Sequence, residues 1–155
     1  MKSFSNTAII IPTLNEEDTI AKVIQQIKKI SPEYKVYVAD DGSHDHTRAI
    51  AEKNGATVID RTMREVKGIS ASVMEALRLA DTEKIVVMDA DLQHPPEKVL
   101  EIVRMLEHCD IVIGARKKVV GPWGFFRRME SKSATSLAQM RLGSEIKAPL
   151  SGFFG

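Results

Sequence analysis

Two hydrophobic patterns alternate along the chain. Short continuous apolar runs at residues 7–11, 35–39, 57–59, 84–88 and 110–114 have the length and unbroken character of strands covered on both faces. Between them apolar residues recur at helical spacing, as Ile20, Val23, Ile24, Ile27 and Ile30, then across residues 47–53, then as Ile69, Val73, Leu77 and Ala80, and last as Val99, Ile102, Val103 and Leu106. Local chemistry punctuates the alternation. Pro12 is predicted to end the first strand and Ser31-Pro32 the first helix, Asn54-Gly55 closes the second helix, and Asn15 with Asp18 three residues on reads as a helix cap. Residues 61–67 read as a charged loop, and Gly68 as the opening of the third helix. Strand alternating with helix predicts an α/β fold with a largely parallel sheet and right-handed crossovers. Ligands of such sheets bind beyond the carboxyl ends of the strands. Here those ends carry Asn15-Glu16, Asp40-Asp41, Asp89 with Asp91, and Arg116.

Composition narrows the picture in a few places. A chain of 155 residues suits one domain with a real core. Its 22 basic and 21 acidic side chains leave a net charge of +1, so no global field points to nucleic acid as a partner. A single cysteine, Cys109, rules out an internal disulfide and a cysteine-rich zinc site and fits a reducing compartment. The first apolar run is too short for a signal peptide, and no run approaches the roughly 18 apolar residues of a membrane span.

The candidate chemistry concentrates where the fourth apolar run meets Asp89-Ala90-Asp91-Leu92-Gln93-His94-Pro95. Residues two apart on an extended chain share a side, so Asp89 and Asp91 can converge on one hard cation, Mg2+ or Mn2+, with Gln93 offering an amide oxygen. The plainer alternative is an acidic turn that leads into the helix at Pro95. A second concentration, Gly121-Pro122-Trp123-Gly124-Phe125-Phe126-Arg127-Arg128, sets the only Trp beside paired Arg ahead of a helix expected over about residues 128–142. It suits a membrane interface or a lipid-phosphate site, or a loop whose aromatics fold onto the core.

Taken in order, Ile11-Pro12-Thr13-Leu14-Asn15-Glu16, Val38-Ala39-Asp40-Asp41-Gly42-Ser43 with Asp45 and Thr47, Lys67-Gly68, the Asp89 to Pro95 stretch, Ile113-Gly114-Ala115-Arg116 and Ser151-Gly152-Phe153-Phe154 resemble the motifs of family-2 glycosyltransferases with the GT-A fold, a Rossmann-like three-layer sandwich. Within that family the resemblance is nearest to dolichyl-phosphate mannose synthases and other polyprenyl-phosphate sugar transferases. It implies an inverting enzyme that moves mannose or glucose from a nucleotide-sugar donor such as GDP-mannose to a dolichyl or other polyprenyl phosphate. By the same resemblance Pro12, Leu14, Glu16, Ala39, Asp41, Asp89 and Ala90 hold the nucleotide. Asp89, Asp91 and Gln93 hold the metal, and Asp91 and Arg116 serve catalysis. The implied setting is the cytoplasm at the cytoplasmic face of a membrane, with peripheral contact to it.

Two departures qualify the resemblance. Ala148 stands where the family usually carries an acidic residue before Pro149-Leu150-Ser151-Gly152. The chain, a single family-2 domain over residues 1–155, is also C-terminally short of the family's catalytic domain, which leads one to expect Phe153 and Phe154 to be partly uncovered. A catalytically weak or inactive nucleotide-sugar-binding fragment is therefore one alternative. A haloacid-dehalogenase-type phosphatase is another, though its Asp-x-Asp follows the first strand rather than the fourth.

Overall fold

The computed structural model describes residues 6–92, 95–114 and 153–155. Strand β1 (Thr7–Thr13) leads to α1 (Ile20–Ile30), β2 (Lys35–Asp40) to α2 (Thr47–Lys53), β3 (Thr57–Asp60) to α3 (Ile69–Leu79), and β4 (Lys84–Val87) through a 3-10 turn at Pro96–Lys98 to α4 (Val99–Met105). The four strands form one parallel sheet in the order β3-β2-β1-β4. Alternate side chains of each strand feed opposite layers. Ile9 and Ile11 of β1 pack with Ile20, Val23, Ile24 and Ile27 of α1 and with Val99, Ile102 and Val103 of α4. Ile10, between them, faces Val73 and Ala76 of α3 together with Ala39, Ile59 and Val87.

The chain thus steps outward from β1 to β2 to β3, then crosses back over the other face through α3 to place β4 on the far side of β1. The strand order reverses between β1 and β4, and at such a switch point a crevice opens above the strand ends. Pairing of β1 with β4 stops at Ile10 and Val87, whereas pairing with β2 runs on to Thr13 and Asp40.

That asymmetry explains one departure from expectation. Pro12 was expected to end β1, yet the strand continues through Thr13. The Ile10 carbonyl accepts from the Met88 N–H at 3.0 Å on one side, and the Thr13 carbonyl accepts from the Asp41 N–H at 3.0 Å on the other. Residue 12 shares the orientation of residue 10, so its missing N–H faces the side where β4 has already left the ladder, a tolerated place for proline.

The expected fifth strand at residues 110–114 is replaced by isolated antiparallel bridges. Phe154 bridges both Val87 and Ile113. Val87 and Phe154 exchange N–H···O bonds of 2.7 and 3.1 Å, while Val112 and Gly155 exchange bonds of 2.8 and 2.9 Å. Residues 153–155 therefore occupy the place beside β4 that a parallel fifth strand would take. The pair was expected to be partly uncovered: Phe154 is half-buried, as expected, whereas Phe153 is buried. The helix expected over residues 128–142, the aromatic and basic stretch at 123–128 and Ala148 lie outside the described residues.

Candidate donor-binding cleft

Above the β1/β4 switch point lies a cleft of about 400 Å³. The end of β1 and the loop after it supply Pro12, Thr13, Leu14 and Glu16, the residue after β2 supplies Asp41, the start of α3 supplies Gly68, Ile69 and Ser72, and the turn after β4 supplies Asp89, Ala90 and Asp91. Of the residues implicated by sequence, Pro12, Leu14, Glu16, Asp41, Asp89, Ala90 and Asp91 meet here. Ala39 does not line the cleft. It is fully buried beneath it in the core against α3, because an alanine on a central strand faces whichever helix covers that side. Gln93 and Arg116 lie outside the described residues.

Two loops form the near wall, and reciprocal hydrogen bonds hold them together. Asn15 adopts φ 57, a left-handed conformation that Asn tolerates better than most residues. Its N–H donates to Ser43 Oγ at 2.8 Å and its Oδ1 accepts from the His44 N–H at 2.9 Å. The Glu16 N–H donates to Thr47 Oγ1 at 2.8 Å, the Glu17 N–H donates to Asp45 Oδ2 at 3.1 Å, and Glu17 Oε2 accepts from the His46 N–H at 3.0 Å. The expected Asn15–Asp18 cap does not form, since α1 begins after Thr19 without a side-chain cap. Asn15 is instead a clasp between the strand ends. Asp45 has two duties, also accepting from the Thr47 N–H at 2.9 Å at the start of α2. Burial alone would raise its pKa, but the Thr47 hydroxyl and N–H and the Glu17 N–H outweigh it and leave the carboxyl below its usual range. Glu17 is lowered likewise, by the His46 N–H first and then by its ring.

The adjacent acids Asp40 and Asp41 divide the work by the alternation of the strand. Asp40 is fully buried and accepts from the Ser43 N–H at 2.9 Å, the Gly42 N–H at 3.2 Å and the Thr13 hydroxyl at 3.2 Å. It holds the turn. Asp41 points into the cleft, with one oxygen on Arg61 and the other accepting the Gly68 N–H at 2.6 Å. Gly68 has φ 106 and ψ 165, a region essentially restricted to glycine. That conformation turns its N–H onto the carboxylate just before α3 begins.

Sequence reasoning missed Arg61, Gly68, Ile69 and Ser72 as parts of this region. The Lys67-Gly68 pair was a motif without a role. Lys67 Nζ in fact donates to the carbonyls of Arg61 at 2.6 Å, Thr62 at 2.9 Å and Asp41 at 3.3 Å, which ties the supposed charged loop to the end of β2.

The lining is acidic. Glu16, Asp41, Asp89 and Asp91 contribute carboxylates, and among the described residues no Lys or Arg lines the cleft. Asp89 is half-buried and Asp91 exposed beside the buried Ala90, so two hard oxygen donors stand at the floor where water can reach them. That donor set fits Mg2+ or Mn2+, which keep water and take phosphate oxygens in their remaining positions. Among the described residues no group of three or more His, Cys, Asp or Glu could hold a metal ion. The counter-charge of such a cation would favour entry of an anionic diphosphate into this acidic cleft.

The sequence model of glycosyl transferase family 2 matches residues 8–155. The chain belongs to that family. The dolichol-phosphate mannosyltransferase of Pyrococcus furiosus is 35% identical over 95% of this chain and 45% of its own length. The undecaprenyl-phosphate 4-deoxy-4-formamido-L-arabinose transferase of Proteus mirabilis is 25% identical over 94% of this chain and 47% of its own length. The chain spans about half the length of these relatives. A solved structure of glucosyl-3-phosphoglycerate synthase from Mycobacterium tuberculosis, in complex with Mn2+, uridine-diphosphate-glucose and phosphoglyceric acid, superposes with a TM-score of 0.74 at 25% identity, covering 96% of this chain and 55% of that one. Mannosyl-3-phosphoglycerate synthase from Rubrobacter xylanophilus shares the fold, with a TM-score of 0.75 at 20% identity over 96% of this chain and 52% of that one. The expected GT-A fold is therefore the one adopted. The family match decides against the phosphatase alternative.

Proposed function

We propose that this family 2 chain binds a nucleotide-sugar with a divalent cation above the β1/β4 switch point, and that it is the donor-binding part of an inverting transferase passing mannose or glucose to a polyprenyl phosphate. The observation that carries the reading is the convergence of Asp89 and Asp91 with Pro12, Leu14, Glu16 and Asp41 in one acidic cleft. The lipid-linked acceptors in the names of the relatives support the choice of acceptor, and the complex of the M. tuberculosis enzyme with Mn2+ and a uridine nucleotide-sugar supports the choice of donor and metal.

In this reading Pro12 and Leu14 offer apolar surface to the base, and Glu16 and Asp41 accept hydrogen bonds from base or ribose. Asp89 and Asp91 would hold Mg2+ or Mn2+ beside the diphosphate, and the chemistry such a cation would supply is compensation of the charge on the leaving group. Arg116, which lies outside the described residues, would serve the phosphates or the acceptor. A lipid phosphate monoester, with a second pKa of about 6, is already largely dianionic at neutral pH, so attack at the anomeric carbon with inversion requires no strong protein base. Contact with the cytoplasmic face of a membrane would run through the 123–128 stretch. No described helix is long and apolar enough to cross a bilayer.

Calorimetric titration of GDP-mannose and UDP-glucose with Mn2+ tests the donor site, and formation of labelled polyprenyl-phosphate sugar tests transfer. Metal-dependent binding of a nucleotide-sugar is expected. Failure to bind either donor with Mn2+ would refute the reading.

A further inference from the structure

The end of β3 holds a buried charge that the nucleotide chemistry does not itself require. Arg61 is 2% exposed, and its N–H donates to the Asp40 carbonyl at 2.8 Å, so its backbone is fixed as an extension of the β2–β3 ladder. From there the guanidinium donates through Nε to Glu75 Oε2 at 3.0 Å, through one terminal nitrogen to Asp41 and to Ser72 Oγ at 2.7 Å, and through the other to the Val66 carbonyl at 2.8 Å. A buried arginine is tolerated when carboxylates and hydrogen bonds compensate it. Here two carboxylates do so, and they lie on opposite sides of it. Asp41 and Ser72 line the cleft, whereas Glu75 faces a separate groove shared with Met63, Arg64, Val66 and Arg78. Arg61 itself lines that groove and not the cleft, which it meets through Asp41 and Ser72.

We infer that Arg61 is a positioning residue for nucleotide recognition: with the Gly68 N–H it clamps the Asp41 carboxylate so that the remaining lone pairs of that group face the base and ribose end of the cleft. The inference rests on the donor-binding reading above. A carboxylate oxygen offers two acceptor directions. With Arg61 on Oδ1 and Gly68 on Oδ2, the plane of the group is set before any ligand arrives, and ordering it on binding costs little. Lys67, bonded to the carbonyls of residues 41, 61 and 62, holds the backbone on which both clamping groups sit. Asp89 and Asp91 come from the turn after β4, on the far side of β1 from the β2 and β3 ends that carry Asp41 and Arg61. The two ends of the cleft should therefore respond separately.

The test titrates GDP and UDP in the presence of Mn2+ by calorimetry, and Mn2+ alone by water-proton relaxation, against wild type, Arg61→Lys, Glu75→Gln, Asp41→Asn and the Arg61→Lys/Asp41→Asn double variant. Lysine lacks the fork that reaches two acceptors at once, so Arg61→Lys should weaken the better-bound nucleotide about tenfold, the equivalent of one charge-assisted hydrogen bond, with Mn2+ affinity unchanged. Adding Asp41→Asn should cost little more, because both changes act through one carboxylate. Glu75→Gln, which loosens Arg61 from the far side, should weaken nucleotide binding by a smaller factor and stands in if Arg61→Lys does not fold. Nucleotide affinity equal to wild type in every folded variant at residues 61 and 75 would overturn the inference, as would a matching loss of Mn2+ and nucleotide affinity, the mark of a merely structural role. Wild-type protein that binds Mn2+ but neither nucleotide would instead remove the donor-binding reading itself.

Discussion

Asp40 and Asp41 stand side by side in sequence, yet the structure separates their duties, and the separation is measurable. Asp40→Ala removes a fully buried acceptor and strands donors that have no route to water. Thr13 is 5% exposed and Ser43 2%, so the Thr13 hydroxyl and the Ser43 N–H, now held at 3.2 and 2.9 Å, would be left unsatisfied. The Gly42 N–H, in a half-buried residue, is better able to rehydrate. Each orphaned buried donor costs about 1–3 kcal/mol, partly offset because burial of a carboxylate is itself no longer required. The expected loss is therefore about 3 kcal/mol, or a fall in Tm of about 6–12 °C for a chain of this size. Asp40→Asn keeps the volume and one acceptor oxygen and should lose about half as much. Asp41→Asn should change Tm less than Asp40→Ala while lowering nucleotide affinity. Thermal and urea unfolding of the three variants, with calorimetry of GDP or UDP in Mn2+, gives both readouts. A loss of under about 1 kcal/mol in Asp40→Ala would refute the assignment of the turn to that carboxylate.

Asp91→Asn should leave Tm near wild type, because Asp91 is exposed, and should weaken Mn2+-dependent nucleotide binding about tenfold or more; calorimetry checks it, and equal affinity counts against the metal assignment. Gly114→Ala should destabilise by about 1–3 kcal/mol through overpacking, since its Cβ would stand 2.7 Å from Phe153 Cδ1 and 3.1 Å from the Phe153 carbonyl; urea midpoints measure the cost. Stability should fall in acid. Glu17, Asp45, Asp60 and Glu75 all have carboxyls lowered in the fold, Asp60 by the Thr62 hydroxyl and N–H first and Glu75 by Arg64 and then Arg61. The unfolded chain then binds more protons, so their contribution is complete above the ordinary carboxylate values of about 4 and is lost as pH drops through the lowered ones. Urea midpoints at pH 7, 5, 4 and 3 should be level between the first two and decline below, and a flat profile would count against these pairings.

The strands and helices through residue 105 were legible because each rests on a local pattern. Val36 and Val38 alternate into the same layer as Ile9 and Ile11, and the Ile20 to Ile27 stripe matches one helix face. The acidic tip was legible for the same reason, since Asp89 and Asp91 follow a buried strand directly. What escaped depends on residues distant in sequence. Arg61 looked like one more charge in a charged loop, because nothing local reveals that Asp41 and Glu75 meet it from two other elements. The spacing of Asn15 from Asp18 suggests a helix cap, whereas its partners, Ser43 and His44, come from the neighbouring strand end. Residues 110–114 have the composition of a strand, but pairing is a property of two segments, and Phe154 holds the place beside Val87.

That last contact bears on how the sheet is completed during synthesis. All four strands of the parallel sheet have been made once Val87 is in place, whereas the pairing of Val87 with Phe154 has to wait for a segment made much later. Until residues 153–155 emerge, β4 is the outer strand of the nascent sheet, with the Val87 N–H and carbonyl unpaired on its open side. An uncovered strand edge is a template for pairing with another chain. The tripeptide thus acts as a late seal on the strand that carries the acidic tip. A chain cut before it should form the rest of the sheet and yet be prone to aggregate through β4 at the ribosome.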